Sequence, residues 1–320
     1  MTIKHAKLVG ALMLGGIIMI GALYGRFAES TGEPVSERNS IEQRTHRPLV
    51  IAHRGGAGLW PENTIFSFEQ ARRSGVDAIE IDVHSTADGV LVVMHDATVD
   101  RTTDGVGRIN EMTLAKLKKL DAGFRWSPDG MKTFPHRGRG LTVPTLEEVF
   151  TQLPEMRFTV EPKQQSPSLS KPLCRMIRDK GMTATIFVGS FRQTVLDEFR
   201  KECPEVATSA SPAEVSEFLG RYKAGSAETY RPVMQALQVP EYVGGMQVLS
   251  KGFIEAAHAR NLQVHAWTIN AEEDMRRLIE FGVDGLITDY PDRLLRLLGG
   301  AAGARRQDKN ESPGNSKSKQ

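Results

Sequence analysis

The chain has 320 residues, of which 40% are hydrophobic and 25% charged, the composition of an ordinary globular protein with a sizeable core. Its formal net charge of +2 gives no electrostatic reason to expect a nucleic-acid partner. The two cysteines, Cys174 and Cys203, form neither a CxxC pair nor a metal-ligand cluster. Cys174 lies in an apolar run and is interpreted as a small buried residue. A disulfide between the two is an open alternative that the sequence does not support, so the cysteines indicate little about the compartment.

An uncharged apolar run occupies residues 8–24, with Lys4 and Lys7 before it and Arg26 after it. Its length lies between the core of a signal peptide and a full membrane span. The lack of a clean Ala-x-Ala cleavage site favours an uncleaved anchor over a cleaved signal. The four glycines in the run favour a membrane helix over a buried soluble helix. We predict an N-terminal membrane anchor in residues 1–27, with the following domain outside the cytoplasm. A cleaved signal and secretion are the alternative.

Polar segments flank the middle of the chain. Residues 28–47 are mixed in charge and predict a linker, and residues 299–320 predict a disordered tail. Residues 48–298 remain, and about 250 residues is the usual size of one barrel domain.

Strand and helix patterns alternate through residues 48–298. Ile65, Phe68 and Ala71 share one face of a helix, a capping box at 145–148 opens another, and further helices are predicted at 190–201, 251–260 and 271–281. Strands are predicted at 49–52, 78–83, 157–160, 183–188, 206–208, 264–268 and 285–287, with an eighth expected near 246–249. This alternation indicates an α/β fold with a parallel sheet, and we predict a (β/α)8 TIM barrel. A doubly wound open sheet is the alternative, although no Gly-x-Gly-x-x-Gly turn favours it.

Residues 96–143, after the second strand region, interrupt this alternation. The segment is long for a strand-to-helix connection and carries its own turn signals, so it predicts a small insertion that caps one face of the barrel. Phe124, Trp126 and Phe134 within it have two interpretations. They form either an apolar wall for a lipid chain or the insertion's own core.

Polar side chains follow the predicted strands, which is where barrel enzymes place their functional groups. Arg54 follows His53 directly after the first strand and offers a fork of donors suited to phosphate, although a polar turn is the simpler alternative. Glu80 and Asp82 are two residues apart on the second strand, so both carboxylates face the same side. Adjacent buried carboxylates need a compensating cation, and oxygen ligands suit Mg²⁺ or Ca²⁺. The alternative is a pair of solvated or arginine-paired acids.

Two more strand ends carry the same kinds of group. His95 follows a short strand at 90–94, and Glu161 and Lys163 follow the strand at 157–160. A metal ion and cations can stabilise charge on a phosphoryl group, while two histidines can act as acid and base. Together these residues predict phosphodiester cleavage.

The ordered motifs from 53 to 291 resemble the glycerophosphodiester phosphodiesterase family. The motifs that carry the resemblance are His53-Arg54-Gly55, Pro61-Glu62-Asn63-Thr64, Glu80-x-Asp82, His95-Asp96, Glu161-x-Lys163, Trp267-Thr268-Ile269-Asn270 and the segment 282–289. The resemblance implies His53 and His95 as the acid–base pair, in an order that the sequence leaves open. It also implies one divalent cation, Mg²⁺ or Ca²⁺, held by Glu80, Asp82 and Glu161, and a phosphate bound by Arg54 and Lys163. Trp267 is interpreted as a contact for the glycerol moiety or as a plain core aromatic.

The expected reaction is metal-dependent hydrolysis of small-molecule or lipid glycerophosphodiesters to glycerol 3-phosphate and an alcohol. One alternative uses the same residues to cleave lysophospholipids, as a lysophospholipase D does. A second alternative is a non-catalytic barrel that binds phosphodiester headgroups. The expected partners are therefore this substrate and, through the N-terminal segment, a membrane, without nucleic acid.

Overall fold

The computed structural model describes residues 47–308. Its strands are β1 (Leu49–His53), β2 (Ala78–Ser85), β3 (Leu91–Val93), β4 (Arg157–Pro162), β5 (Ile186–Val188), β6 (Ala207–Thr208), β7 (Ala236–Pro240), β8 (Tyr242–Val243), β9 (Met246–Gln247), β10 (Gln263–Trp267) and β11 (Gly285–Thr288). Its α-helices are α1 (Ile65–Ser74), α2 (Leu114–Leu117), α3 (Leu146–Gln152), α4 (Ser170–Asp179), α5 (Gln193–Glu202), α6 (Pro212–Lys223), α7 (Lys251–His258), α8 (Glu272–Phe281) and α9 (Pro291–Asp308).

Eight parallel strands form a nearly closed barrel in the order β6-β5-β4-β2-β1-β11-β10-β7. A parallel bridge between Ser209 and Ala236 brings the two ends of this order together. The remaining strand of the sheet, β3, pairs antiparallel with the end of β2. The predicted TIM barrel is therefore confirmed.

One predicted strand was placed in the wrong segment. The barrel strand that the sequence patterns missed is Ala236–Pro240, the sixth in chain order. The segment predicted in its place contains Met246–Gln247, which pairs antiparallel with Tyr242–Val243. Gly244 and Gly245, with φ of 56° and 82°, form the two-residue turn between them. Positive φ at both turn positions is the geometry of a tight hairpin, and paired glycines adopt it without strain. The glycine pair therefore marks a hairpin that lies outside the barrel.

Apolar residues on the outer face of β2 bind the barrel to its helices. Ile79, Ile81 and Val83 are fully buried in the main hydrophobic core, where they pack with residues of the surrounding helices. Since successive strand residues point to opposite faces, the alternate residues Glu80 and Asp82 face the barrel interior. The pattern that fixes the register of β2 thus also aims its carboxylates at the barrel axis.

Helix caps set where the strand-to-helix loops end. Thr64 and Thr145 each form a capping box with the third residue of α1 and α3, and the capping box at 145–148 is confirmed. Gly75, with φ of 84°, ends α1 in the left-handed conformation. Because α1 begins directly after the segment that follows β1, its cap fixes the course of that loop.

The structure joins the two cysteines and extends the last helix. Cys174 in α4 is buried, as predicted, and it also forms a disulfide with Cys203 after α5, with their Cα atoms 5.7 Å apart. Helix α9 continues to Asp308, into the segment predicted as a disordered tail. The predicted anchor at 1–27, most of the predicted linker and residues 309–320 lie outside the described residues. Between residues 47 and 308, none of the helices has the length and apolar character to span a membrane.

Candidate active site

Three carboxylates meet at the ends of β2 and β4. The parallel register places Asp82 beside Glu161, and Glu80 lies two residues earlier on β2. Each of the three offers an oxygen within 4.8 Å of the others. Burial, and next the charge of Asp82, raise the pKa of Glu80 well above its usual range. A set of carboxylate oxygens this close together fits a hard divalent cation such as Mg²⁺ or Ca²⁺.

Two cationic side chains border these acids. Lys163 Nζ lies 3.1 Å from Asp82 Oδ1 and 3.0 Å from Glu161 Oε2. Arg54 Nε lies 3.4 Å from Asp82 Oδ2, and among the described residues this buried nitrogen has no hydrogen-bond partner. Burial favours the neutral form of Asp82, but Lys163 and Arg54 outweigh it and lower the pKa of that carboxyl. Both cations therefore lie where an anionic phosphate could approach a bound metal ion.

The loop after β1 requires glycine beside Arg54. Gly55 has a φ of 85°, and a Cβ atom there would lie 2.5 Å from Ser67 Oγ in α1. The loop can therefore lie close against the start of α1, and the backbone amide of Arg54 donates to Glu80 Oε2 at 3.1 Å. Glycine at this position thus lets the loop connect β1 to the acids of β2.

Each histidine has a carboxylate partner at Nδ1. His53 Nδ1 lies 2.7 Å from Asp289 Oδ1, and His95 Nδ1 lies 2.7 Å from Asp96 Oδ1. A carboxylate at Nδ1 fixes the ring orientation and leaves Nε2 for other contacts. The His53 Nε2 atom lies 3.8 Å from Glu80 Oε2.

The two imidazoles have opposite pKa shifts. Burial lowers the pKa of His53, but the hydrogen bond with Asp289 and the charge of Glu80 outweigh it, so the net shift is upward. Burial also lowers the pKa of His95, and there the opposing effects of Asp82 and Asp96 do not overcome it. The pair can supply one proton donor and one acceptor near neutral pH.

Supporting residues form a network to which sequence reasoning had assigned no role. Arg101, from the insertion, donates to Glu62 Oε2 at 2.7 Å and to Asp96 Oδ2 at 2.7 Å. Partial burial raises the pKa of Asp96, but hydrogen bonds with Arg101 and His95 outweigh this and lower it to about 2. Glu62 also accepts from Arg54 at 3.0 Å. Glu62 and Asp96 belong to the sequence motifs, but their contacts with Arg101 depend on the fold.

Asp289 and His84 also support the two predicted catalytic histidines through direct contacts. Asn270 Nδ2 donates to Asp289 Oδ2 at 2.7 Å and so holds the carboxylate that orients His53. His84 is buried on β2, and its Nε2 lies 3.1 Å from the carbonyl oxygen of His95. His84 therefore contacts the backbone of a predicted catalytic residue.

One cavity of about 180 Å³ brings together every residue that the sequence singled out for the site. Its lining includes His53, Arg54, Glu80, Asp82, His95, Glu161, Lys163 and Trp267. Trp267 packs edge-on against Phe191, with ring centroids 5.6 Å apart. A second, mostly apolar cavity of about 460 Å³ shares Glu80, Glu161, Phe191 and Trp267 with the first.

The aromatic residues of the insertion are not part of these cavities. Phe124 and Phe134 stack on the Arg137 guanidinium, at 4.1 and 3.9 Å from the ring centroids. Trp126 donates to the carbonyl of Ala57 at 3.1 Å. In the described structure these three residues line neither cavity and do not belong to the insertion's buried cluster, so neither interpretation of them is confirmed.

Comparisons with known proteins identify the same family. Residues 53–293 match the model of the glycerophosphoryl diester phosphodiesterase family. A glycerophosphodiester phosphodiesterase of Caldanaerobacter subterraneus subsp. tengcongensis is 33% identical, over 79% of this chain and 98% of the relative. A Mus musculus protein named lysophospholipase D is 26% identical, over 76% of this chain and 84% of its own. The structure of an Oleispira antarctica phosphodiesterase in complex with the product sn-glycerol-3-phosphate matches with a TM-score of 0.62 and 28% identity, over 79% of this chain and 97% of that one.

Proposed function

The chain belongs to the glycerophosphoryl diester phosphodiesterase family and is a glycerophosphodiester phosphodiesterase; we propose that it uses one divalent cation and two histidines. The proposed cation is Mg²⁺ or Ca²⁺, and its ligands are Glu80, Asp82 and Glu161. The observation that carries this proposal is the approach of three carboxylates within 4.8 Å in a largely buried cavity that both histidines line. The products are glycerol 3-phosphate and an alcohol.

Glu80, Asp82 and Glu161 would hold the cation, which when bound would withdraw charge from a phosphoryl oxygen of the diester. Arg54 and Lys163 bind the other phosphate oxygens, where their positive charge stabilises the charge that develops as the bond to the alcohol breaks. Lys163 already spans two of the proposed metal ligands, so the phosphate and the acids share this ammonium group. Binding and charge stabilisation thus involve the same few atoms.

Proton transfer is assigned to His53 and His95. One imidazole accepts the proton of the attacking hydroxyl, which belongs to the neighbouring glycerol carbon of the substrate, and the other donates a proton to the oxygen of the leaving alcohol. Water then opens the cyclic phosphate that this step forms, with the two proton transfers reversed, and glycerol 3-phosphate is released. Asp289 and Asp96 hold the two rings by their Nδ1 atoms, so Nε2 carries out the transfer in both. Trp267 lines the same cavity and packs against the glycerol moiety.

We further propose that residues 1–27 anchor the chain in a membrane and that the catalytic domain lies outside the cytoplasm. The disulfide between Cys174 and Cys203 supports this location because disulfides persist in oxidising compartments and are rare in the cytosol. Cleavage of the N-terminal segment would give the same compartment without an anchor.

The proposed reaction is tested by release of glycerol 3-phosphate from glycerophosphocholine by the full chain. Release is expected with Mg²⁺ or Ca²⁺ and not in excess chelator, and His53→Ala is expected to lower it about 10²- to 10⁴-fold. His258→Ala, at a histidine with 41% of its side chain exposed, is the matched control and is expected to retain activity. Full activity in chelator would contradict the metal's role, and no cleavage with any metal would favour the non-catalytic barrel.

A further inference from the structure

The apolar cavity of about 460 Å³ beside the catalytic cavity has no role in the proposed chemistry. We propose that this apolar groove binds a single acyl chain carried by the glycerol of the substrate, so that the enzyme accepts lysophospholipids. The proposal rests on the proposed phosphodiesterase function, because the groove shares Glu80, Glu161, Phe191 and Trp267 with the catalytic cavity. Its volume falls within the roughly 300–1,000 Å³ typical of small-molecule pockets.

The walls of the groove are aliphatic. Val215 and Leu219 lie one turn apart on α6, and Val239 on β7 and Val248 after the hairpin also line the groove. Leu219, Val239 and Val248 are buried, with at most 9% of their surface exposed. A hydrocarbon chain placed between these walls would remove apolar surface from water on both partners, which is the favourable term for chain binding.

Three polar side chains of the groove are already engaged with the protein. Ser190 and Ser216 donate to the carbonyls of Pro162 and Pro212, and Gln238 bonds with Thr159 and His265. Among the described lining residues, charge occurs at Glu80 and Glu161, at the end shared with the catalytic cavity. A sugar or other polyol would find few unpaired partners here, whereas an alkyl chain needs none.

Continuity with the catalytic cavity identifies which part of the substrate enters the groove. Trp267 and Phe191 line both cavities and pack edge-on, with centroids 5.6 Å apart. A phosphate bound by Arg54 and Lys163 would place the glycerol near Trp267. A chain attached to that glycerol would then continue past Phe191 into the groove.

The β8–β9 hairpin forms an exposed apolar lip at the groove. Tyr242, Val243 and Met246 are 52%, 53% and 46% exposed, and Phe191 is 57% exposed. These four are among seven large hydrophobic residues exposed in the described part of the chain, so apolar exposure is concentrated here. At the base of the hairpin, the buried Glu241 carboxylate accepts from Arg277 at 2.7 Å. The lip therefore has a fixed base and an apolar tip suited to taking chains from a lipid aggregate.

Binding of alkylphosphocholines to the full chain tests the groove without requiring cleavage. Ligands with 8, 10 and 12 carbons, kept below micelle-forming concentrations, are expected to bind about two- to fourfold more tightly for each added methylene. Met246→Asp at the lip and Val215→Asp in the wall are expected to weaken binding of the 12-carbon ligand about tenfold or more. Val233→Asp is the matched control, because Val233 is 64% exposed and does not line the groove, and it is expected to bind as the wild type does.

Kinetics with two substrates then separate the groove from the reaction. Met246→Asp is expected to lower the ratio of kcat/KM on long-chain lysophosphatidylcholine to kcat/KM on glycerophosphocholine about tenfold. Affinity that does not depend on chain length, or an equal loss in Val233→Asp, would overturn the groove assignment. If glycerophosphocholine is cleaved and long-chain lysophosphatidylcholine is not, the substrate assignment is overturned while the proposed function stands. If neither is cleaved, the proposed function itself fails.

Discussion

The two sides of the barrel mouth present opposite surfaces to a ligand. Around β1, β2 and β4, acids, histidines and cations contact one another within a cavity of about 180 Å³. Around α6, β7 and the hairpin, the larger cavity of about 460 Å³ is bordered mainly by aliphatic residues. With the proposed roles, the fold places bond breaking on one side of the mouth and chain binding on the other. The charged side can be changed without removing apolar surface, and the apolar side without removing a catalytic group.

The charged side and the helices outside the cavities are stabilised by different kinds of contact. On the charged side, Arg101 joins Glu62 to Asp96 and thereby connects the insertion to the loop after β1. Away from both cavities, the Cys174–Cys203 disulfide joins helix α4 to the end of α5, and neither helix lines either cavity. Ion pairs therefore position the reacting groups, while a covalent link stabilises helices outside the site.

The largest effect on the free energy of unfolding is expected from removal of the disulfide. Replacing both Cys174 and Cys203 by alanine should lower the free energy of unfolding by about 3 kcal/mol, because the unfolded chain loses a constraint. Turnover of glycerophosphocholine at low temperature should change less than twofold, since neither cysteine lines either cavity. Chemical denaturation and initial rates, measured beside the wild type with and without reductant, check both statements.

Two results would contradict this part of the account. An unchanged free energy of unfolding would contradict the disulfide's stabilising role. A loss of turnover of about tenfold or more would contradict the claim that the disulfide is independent of the catalytic site. Reduced thiols at both cysteines, in protein isolated from cells without reductant, would contradict the proposed extracytoplasmic location.

A smaller effect is expected on the charged side from Arg101→Gln. Loss of the bridge between Glu62 and Asp96 should lower kcat on glycerophosphocholine about tenfold, because Asp96 orients His95. Arg101→Lys should recover part of this rate, which a purely structural contribution would not require. Arg108→Gln, at another half-exposed arginine of the insertion, is the matched control. Equal rates in Arg101→Gln and the control would show that the bridge does not position His95.

The charged side could be predicted from the sequence because it follows strand ends. Glu80 and Asp82 alternate with buried aliphatic residues on β2, and that alternation gives both the strand and the direction of its acids. Parallel strands end at the same edge, so the residues after β1 and β4 were expected beside them. The eight predicted site residues accordingly line one cavity.

The apolar side could not be predicted in the same way. The groove is assembled from α6, β7 and the hairpin, whose residues become neighbours only in the folded chain. Apolar residues near Met246 resembled a barrel strand because local pattern does not distinguish a strand in the barrel from one in a hairpin. The disulfide depends likewise on a spatial approach, 5.7 Å between Cα atoms, across a sequence separation of 29.

Calorimetric titration of the full chain with Mg²⁺ and Ca²⁺ tests the central claim most directly, because it measures the proposed metal site without relying on turnover. We expect one bound cation per chain in the wild type and an affinity at least about tenfold lower in Glu80→Gln. Glu111→Gln, at a glutamate with 70% of its side chain exposed, should bind as the wild type does. No binding by the wild type, or equal binding by Glu80→Gln, would contradict the claim that these three carboxylates hold the cation.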